Sequence, residues 1–542
     1  MTETKQSMHW ADQLADQIIQ RAEREGVTPN VKCQQTPSGG KHIGNLNDVL
    51  RAYFPVKAVE ERGVKVDFVH TTDDRDPLKD IPAKISDLDG KWHDAAPYIS
   101  KLTEYYGHPL CRTPDPFGCC KSYSAHFTQV WMDGIELLDV KPKLYSVDDM
   151  YKEGKYEECI QTVFAKRAEC GKISSEFQAT KSAETIPFDA ICPTCGVLGP
   201  VDDINVAERK VHMICGGKAI KKKKAEGCGA ENWVPWTEGK LQWRFEWPAN
   251  WKIFNTTFEP FGKDHAEGSW KSGVEICKRI FEIEAPIPFV YEFFLVNGEK
   301  MSASKGNVYI VQDMLNVMPK DVFKFFYVKR PEKQRDLDLT KIPQMVDEFD
   351  EVEKIYFGKT EAKTENREEN AKRMYDLSAS HIPKQAPVRI QFALAAQLGQ
   401  LFSADACIEK LNELGHMQGA SKEDILEAKL RVKLAVNWAK TYGDATVRVH
   451  ALSEQESNEQ SAKLTDKQKQ ALSQFAEYFA KTKDSETEQA SKIKTTCEAT
   501  GISPQEFFKA AYLVLIGKER GPKLTTLLNT FDKSKVIKAF AH

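Results

Sequence analysis

"PSGGKHIGN", residues 37–45, follows a short strand-like stretch, "PNVKCQQ", and precedes "NLNDVLRAYFPVKAVEERG", whose apolar residues recur at helical spacing as far as Gly63. The glycine-rich segment is therefore a turn between a strand and a helix. Backbone N–H groups and the positive end of the helix converge at such a turn, which suits an anion, and phosphate is the natural guest. Gly39, Gly40 and Gly44 let a flat base or a phosphate approach the backbone, while His42 and Asn45 offer hydrogen bonds to phosphate oxygens. A plain glycine turn with a surface histidine has the same local sequence, so the segment needs a second piece to give it meaning.

Upstream, residues 9–25 place Trp10, Leu14, Ile18 and Ile19 on one helical face, and Gly26 ends the helix. Downstream, "VKVDFVHTTDD" is a buried strand that ends in polar residues. Strand, turn, helix and strand in this order form a β-α-β unit with parallel strands. The fold expected is α/β, a Rossmann-like doubly wound parallel sheet, with its first half in residues 1–100. Between 101 and 240 Pro, Gly, Cys and His cluster and helical stretches are short, the texture of an inserted domain. From 241 to 340, "LQWRFEWPANW", "FEPFGKDHAEGS" and "IPFVYEFFLV" return to α/β structure. Beyond 341 long amphipathic stretches such as "SKEDILEAKLRVKLAVNWAKTYG" predict an all-α region to 542, with the polar "LSEQESNEQSAKL" at 452–464 as a solvated linker.

A chain of 542 residues exceeds one core, and 41% apolar with 29% charged residues places it among soluble globular proteins. The N-terminus lacks a basic flank followed by an apolar core, and no later run is long enough to cross a bilayer, so the cytoplasm is the expected compartment and no membrane the expected partner. Thirteen cysteines, an odd number clustered at short spacings, fit metal ligation in a reducing compartment better than disulfides. The net charge of −3 gives no global signal for a polyanion, so such a partner must be held by local basic patches.

The second piece is "GEKMSASKG", residues 298–306, just after the apolar "FVYEFFLV". Lys300 and Lys305 with Ser302 and Ser304 on such a loop can close cations over a triphosphate. In this order and separation the two segments resemble the HIGH and KMSKS signatures of class I aminoacyl-tRNA synthetases. The whole length is similar to the class I lysyl-tRNA synthetases, through "PSGGKHIGN", "PDPFGC", the paired cysteine clusters, "WRFEWPANW", "EPFGKDH", "KMSASKG" and the late "GPKL". That resemblance implies ATP- and Mg²⁺-dependent activation of lysine, transfer to tRNA(Lys), and an anticodon-binding role for the C-terminal helices, in a chain expected to be a monomer. It gives His42, Asn45, Lys300 and Lys305 the catalytic roles, and Pro37, Ser38, Gly39, Gly40, Gly44, Met301, Ser302 and Ser304 the ATP site. Two positions depart from the wider class. Asn45 replaces a final histidine, as is typical of the lysyl group, and Ala303 stands where many members carry the second lysine of the loop. A glutamyl- or glutaminyl-type synthetase, a small-molecule nucleotidyltransferase and a zinc-containing RNA-binding protein with a degenerate nucleotide site are the alternatives.

Cys192-x-x-Cys195 on a proline–glycine knuckle, followed by Cys215 and Cys228, offers four thiolates for tetrahedral Zn²⁺ in a closed structural site, with His212 a competing fourth ligand. "PDPFGCCKSYSAH" offers Asp115, Cys119, Cys120 and His126, which resemble the family's other zinc site; His108 and Cys111 are alternative ligands, and core cysteines the plainer reading. Trp243, Trp247 and Trp251 recur in four-residue steps, an aromatic stripe that is core at Trp251. A buried lysine ammonium needs an aromatic face or a carboxylate, which Trp243 and Glu246 can supply. The resemblance assigns Trp243 and His265 to the lysine pocket, where His265 and Asp264 are otherwise polar groups at a strand end. The lysines at 218–224 either track the tRNA acceptor arm or form a solvated face.

Overall fold

The computed structural model describes residues 9–177, 184–220, 223–301, 307–329, 333–413, 415–445, 447–521 and 523–541. Ser302 to Gly306, Lys221, Lys222 and Pro522 of the "GPKL" piece therefore lie outside the described residues. Helix α1 (Trp10–Glu25) buries Leu14 and Ile18 and stops where Gly26 adopts φ 67°. Strand β1 (Asn30–Gln35) runs buried into the glycine turn, and α2 (Leu46–Glu61) begins immediately after Asn45. Strand β2 (Asp67–Thr72) pairs parallel with β1 in register from Asn30–Asp67 to Gln35–Thr72, so the expected β-α-β unit is present.

Helix α3 (Tyr123–Glu136) is capped by Ser122, whose hydroxyl accepts from the Ala125 N–H. Strand β3 (Lys143–Ser146), helix α4 (Trp243–Phe254) and strands β4 (Phe258–Gly262) and β5 (Ile287–Tyr291) complete the sheet. Its order is β5-β4-β1-β2-β3, and every neighbouring pair is parallel. The chain reverses direction of winding between β1 and β4, the place where such a sheet opens a crevice at its carboxyl ends. β3 falls inside the 101–240 span read as an insertion. It is a half-exposed edge strand with the sequence KLYS, too short and polar to announce itself by an apolar run.

Between β3 and α4 lie short helices and small antiparallel sheets. Strand Phe188–Ile191 pairs with Gly239–Leu241 and Leu198–Pro200, and Lys210–Ile214 pairs with Glu231–Pro235 and Asp203–Asn205. The lysine run forms a hairpin, Lys218–Ile220 against Lys223–Ala225.

A second compact unit takes in Met314–Phe323, Asp338–Tyr375 and His381–His542. It is helical throughout its described residues, as the amphipathic pattern predicts. Phe475, Phe507 and Phe540 are buried together in one of its cores. Capping boxes at Ser421, Ser453, Thr465, Ser485 and Ser503 fix the starts of five helices. One of them corrects the linker reading of 452–464, where Glu454–Ser461 is helical and buries Ser457 and Ser461. The segment lacks apolar periodicity because its buried face is made of serines; the cue was the Ser453-x-x-Glu456 cap. No described helix is long and apolar enough to cross a membrane.

Candidate active site

A cavity of about 790 Å³ opens at the carboxyl ends of β1 and β4. His42, Gly44 and Asn45 line it from the glycine turn, and Lys300 and Met301 from the distant second segment. The two segments are in direct contact. A Cβ on Gly44 would lie 3.1 Å from Met301 Cε and 2.9 Å from the His42 ring, so glycine is what lets them close. The Ile43 N–H donates to the Tyr309 carbonyl at 2.7 Å, and the Tyr327 hydroxyl donates to the Ile43 carbonyl at 2.6 Å.

Pro37, Ser38, Gly39 and Gly40 do not line the cavity and instead seat the turn. Gly39 has φ 144°, and a Cβ there would meet Pro82 at 2.9 Å; one on Gly40 would lie 3.1 Å from Ser86 Oγ. The Tyr123 hydroxyl donates to the Ser38 carbonyl at 3.2 Å. Ser302, Ser304 and Lys305, read from the loop, lie among the undescribed residues.

His42 Nδ1 is buried without a hydrogen-bond partner. Burial, reinforced by Lys41 and Lys300, lowers the imidazole pKa to about 4, so His42 is a neutral hydrogen-bonding group at neutral pH. Lys300 Nζ rests 3.6 Å from the centre of the Phe293 ring.

Beside the phosphate turn is an aromatic wall. Trp243 stacks on Trp247 at 5.4 Å between ring centres, and His265 sits 6.0 and 5.6 Å from the two rings. All three line the cavity. Trp251 is core, as expected, and donates to Glu259.

Glu246 is placed elsewhere. It is fully buried, accepts from the Tyr151 hydroxyl at 2.9 Å, and its other oxygen lies 2.7 Å from Lys240 Nζ. One turn along α4 from Trp243, it points into the protein and spends its charge on an internal lysine. The assignment of Glu246 to the lysine pocket is therefore corrected.

Besides Asp264, which lines the cavity next to His265, the carboxylates of the cavity come from residues that local sequence does not single out. Glu259, on β4, pairs with Lys32 of β1 at 3.1 Å and accepts from Trp247 and Trp251, so it is fully committed. Asp76 is held well below the usual carboxylate range, against the effect of its burial, by Lys240 at 2.6 Å and Lys79 at 2.9 Å. Asp48, near the start of α2, accepts from the Tyr291 hydroxyl, and burial raises its pKa to about 7. Asp73, just past β2, accepts from Thr36 Oγ1 at 3.4 Å, while its buried Oδ1 has no partner. Burial first, then Asp76 and Glu246, push it well above the usual range. Among the described residues, neither Asp48 nor Asp73 has a counter-charge in contact. The available cue was position: polar residues at the carboxyl end of a buried strand face the crevice.

Cys192, Cys195, Cys215 and Cys228 bring their sulfurs within 4.8 Å of one another. The contacts Cys192–Cys228 at 3.7 Å and Cys195–Cys215 at 3.5 Å are too long for disulfides and close to the ~3.8 Å edge of a tetrahedron with Zn–S bonds of about 2.3 Å. His212 is excluded from the set, because its two nitrogens are taken by Asp202 at 2.6 Å and Glu231 at 3.1 Å.

Asp115, Cys119, Cys120 and His126 form the second such group. His126 Nε2 donates to the Ser86 carbonyl at 2.9 Å, which leaves Nδ1 facing Cys119 Sγ at 3.3 Å. Both donor sets fit zinc, and neither His108 nor Cys111 belongs to the second. Through Ser86, that group braces the strand segment against which Gly40 packs.

The family model described as tRNA synthetases class I (K) matches residues 8–381. The lysine–tRNA ligase of Natronomonas pharaonis is 36% identical, over 97% of this chain and 96% of its own. Those of Haloarcula marismortui and Methanocaldococcus jannaschii are 35% and 34% identical, over 98% of this chain and 96% and 99% of theirs. A phosphate turn and a lysine-bearing segment closing on one crevice of a parallel sheet, within sequence shared end to end with such relatives, settle the kinship: the chain belongs to the class I (K) tRNA synthetases.

Proposed function

We propose that the protein is a lysine–tRNA ligase, which activates lysine with ATP to lysyl-adenylate and transfers the lysyl group to the 3′ end of tRNA(Lys). The observation that carries this reading is the pair Asp48 and Asp73 beside the Trp243 face. Lysine brings two ammonium groups, and the cavity holds the half-buried Asp48 and the buried Asp73, neither with a cation in contact among the described residues. Leaving either carboxylate unpaired is costly, so a dicationic side of the substrate is what the pocket favours. A glutamate side chain would gain no ion pair from either. Arg244, a cation next to Trp243, is already bound to the Gly268 carbonyl and Ser272 Oγ and is not free to receive it.

The chemistry needs no protein nucleophile. The lysine carboxylate attacks the α-phosphorus and pyrophosphate leaves; catalysis lies in position and charge. His42 and Asn45 hydrogen-bond the phosphates from the glycine turn, and Lys300 and Lys305 close from the other side. Pro37, Ser38, Gly39 and Gly40 shape the turn, while Gly44, Met301, Ser302 and Ser304 border the nucleotide. Mg²⁺ arriving with ATP would supply charge neutralisation for the leaving pyrophosphate. Trp243 covers the alkyl stem of lysine and His265 closes the pocket beside it. Zn²⁺, held by Cys192, Cys195, Cys215 and Cys228 and by Asp115, Cys119, Cys120 and His126, would have a structural role, tying the chain segments that bring each group together.

Residues 1–100 and 241–340 form the catalytic domain in this reading, 101–240 the insertion that meets the acceptor arm, and 341–542 the anticodon-binding region. The enzyme works as a cytoplasmic monomer. Lysine-dependent exchange of labelled pyrophosphate into ATP, with zinc content measured on the same sample, tests the proposal. Exchange with glutamate in place of lysine would transfer the reading to a glutamyl-type enzyme, and failure to bind ATP would favour an RNA-binding protein.

A further inference from the structure

The cavity wall carries five lysines among the described residues: Lys41, Lys79, Lys218, Lys240 and Lys300. Three are paired with carboxylates: Lys79 and Lys240 with Asp76, Lys240 also with Glu246, and Lys218 with Asp189. Lys300 lies over the Phe293 ring and already has a role on the nucleotide from the second segment. Lys41 has no ion pair, hydrogen bond or ring contact among the described residues. It lies on the glycine turn between Gly40 and His42, so its backbone belongs to the phosphate side of the crevice. The charges that act on its amine belong to the other side: Asp73 and Asp76 beyond β2, and Asp48 on α2.

We propose that Lys41 is a catalytic residue that binds the α-phosphate of ATP at the point where the lysine carboxylate attacks it. This deepens the function proposed above and rests on it. The position follows from the division of the cavity. His42 and Lys300 face the nucleotide, Asp48 and Asp73 hold the ammonium groups, and the uncommitted cation stands where the two halves meet. As the carboxylate oxygen bonds to the α-phosphorus, the bond to the β-phosphate oxygen breaks and its electron pair leaves with pyrophosphate. Negative charge concentrates on the non-bridging α-oxygens during that step, which is where a fixed ammonium is most effective. Burial holds the Lys41 pKa down to about 8, so the seated anion also restores a charge that the empty site strains to keep.

The test is a comparison of AMP with adenosine, each bound to the full-length protein in the presence of lysine, by equilibrium dialysis. The wild type is expected to prefer AMP by about tenfold or more, the worth of one charge-assisted hydrogen bond. Lys41→Met should erase the preference while keeping lysine binding, and Lys41→Arg should restore part of it. An unchanged AMP-to-adenosine ratio in Lys41→Met overturns the proposal and leaves Lys41 as a counter-charge for Asp48 and Asp73. Should Lys41→Met not fold, Lys41→Gln carries the same comparison. The ratio judges Lys41 whichever amino acid is activated, whereas exchange with glutamate and not lysine would defeat the lysine reading alone.

Discussion

Replacing Asp48 by asparagine should separate the charge of the lysine pocket from its shape. Its carboxyl pKa is raised by burial to about 7, with the Tyr291 hydroxyl as its direct partner. A substrate ammonium arriving there pairs with a desolvated carboxylate. Truncating one partner of a buried charge pair costs about 2–5 kcal/mol, so Asp48→Asn should raise the KM for lysine by roughly 30-fold to a few thousand-fold. The KM for ATP should stay within about threefold, the scatter expected of a remote contact.

The pH dependence has a definite sign. Below pH 7 the free enzyme holds Asp48 protonated, and an ammonium must displace that proton, so lysine affinity should fall about tenfold per unit below 7 and level off above it. The asparagine variant should lose this slope. Stability runs the other way: because the folded pKa lies above the unfolded one, the cost of ionising Asp48 is absent below about 4, grows through 7 and is complete above. In the absence of lysine, Asp48→Asn should therefore melt higher than wild type above pH 7. Steady-state pyrophosphate exchange between about pH 5 and 8, with melting curves on the same samples, checks both signs. A lysine KM that changes less than threefold in the variant, or a wild-type KM flat through pH 7, would refute the reasoning.

Three further outcomes are expected. His42→Ala should cut single-turnover adenylate formation by about 10²-fold or more while lysine binding stays nearly constant, because a neutral imidazole hydrogen-bonding the phosphates acts on the transition state; equal losses in rate and binding would contradict that role. Cys195→Ser should lose one zinc per chain by mass spectrometry and melt lower than wild type, with the His126 group still loaded; unchanged zinc content would mean the four thiols are not a metal site. Lys32→Met should strand the buried Glu259 carboxylate and lower stability by about 3–5 kcal/mol in urea unfolding, and a change below about 1 kcal/mol would show that the two indoles alone satisfy it.

The site was legible where its chemistry is local in sequence and hidden where the fold assembles it. A glycine turn between a strand and a helix declares itself within nine residues, and its His42, Gly44 and Asn45 line the cavity, while the CxxC spacing declares the thiolate cluster. Asp48 looked like any acid in the first turn of a helix, and Asp73 like one of several polar residues ending a strand. What gives them meaning is the parallel order β5-β4-β1-β2-β3, which aims the carboxyl ends of β1, β2 and β4 at one crevice.

Glu246 shows the reverse error. Spacing along α4 puts it near Trp243, but spacing does not say which charges are already spent, and Lys240, on the short strand Gly239–Leu241 just before α4, has an equal claim. The same accounting holds in β1 and β4, where Lys32 and Glu259 are charged residues inside otherwise buried strands. Two such residues in neighbouring parallel strands neutralise one another, as these do. Charge removed from water demands a partner; among the described residues Asp48, Asp73 and Lys41 have none in contact, and in the proposed function these are the places for a substrate that is cationic at one end and joined to a phosphate at the other.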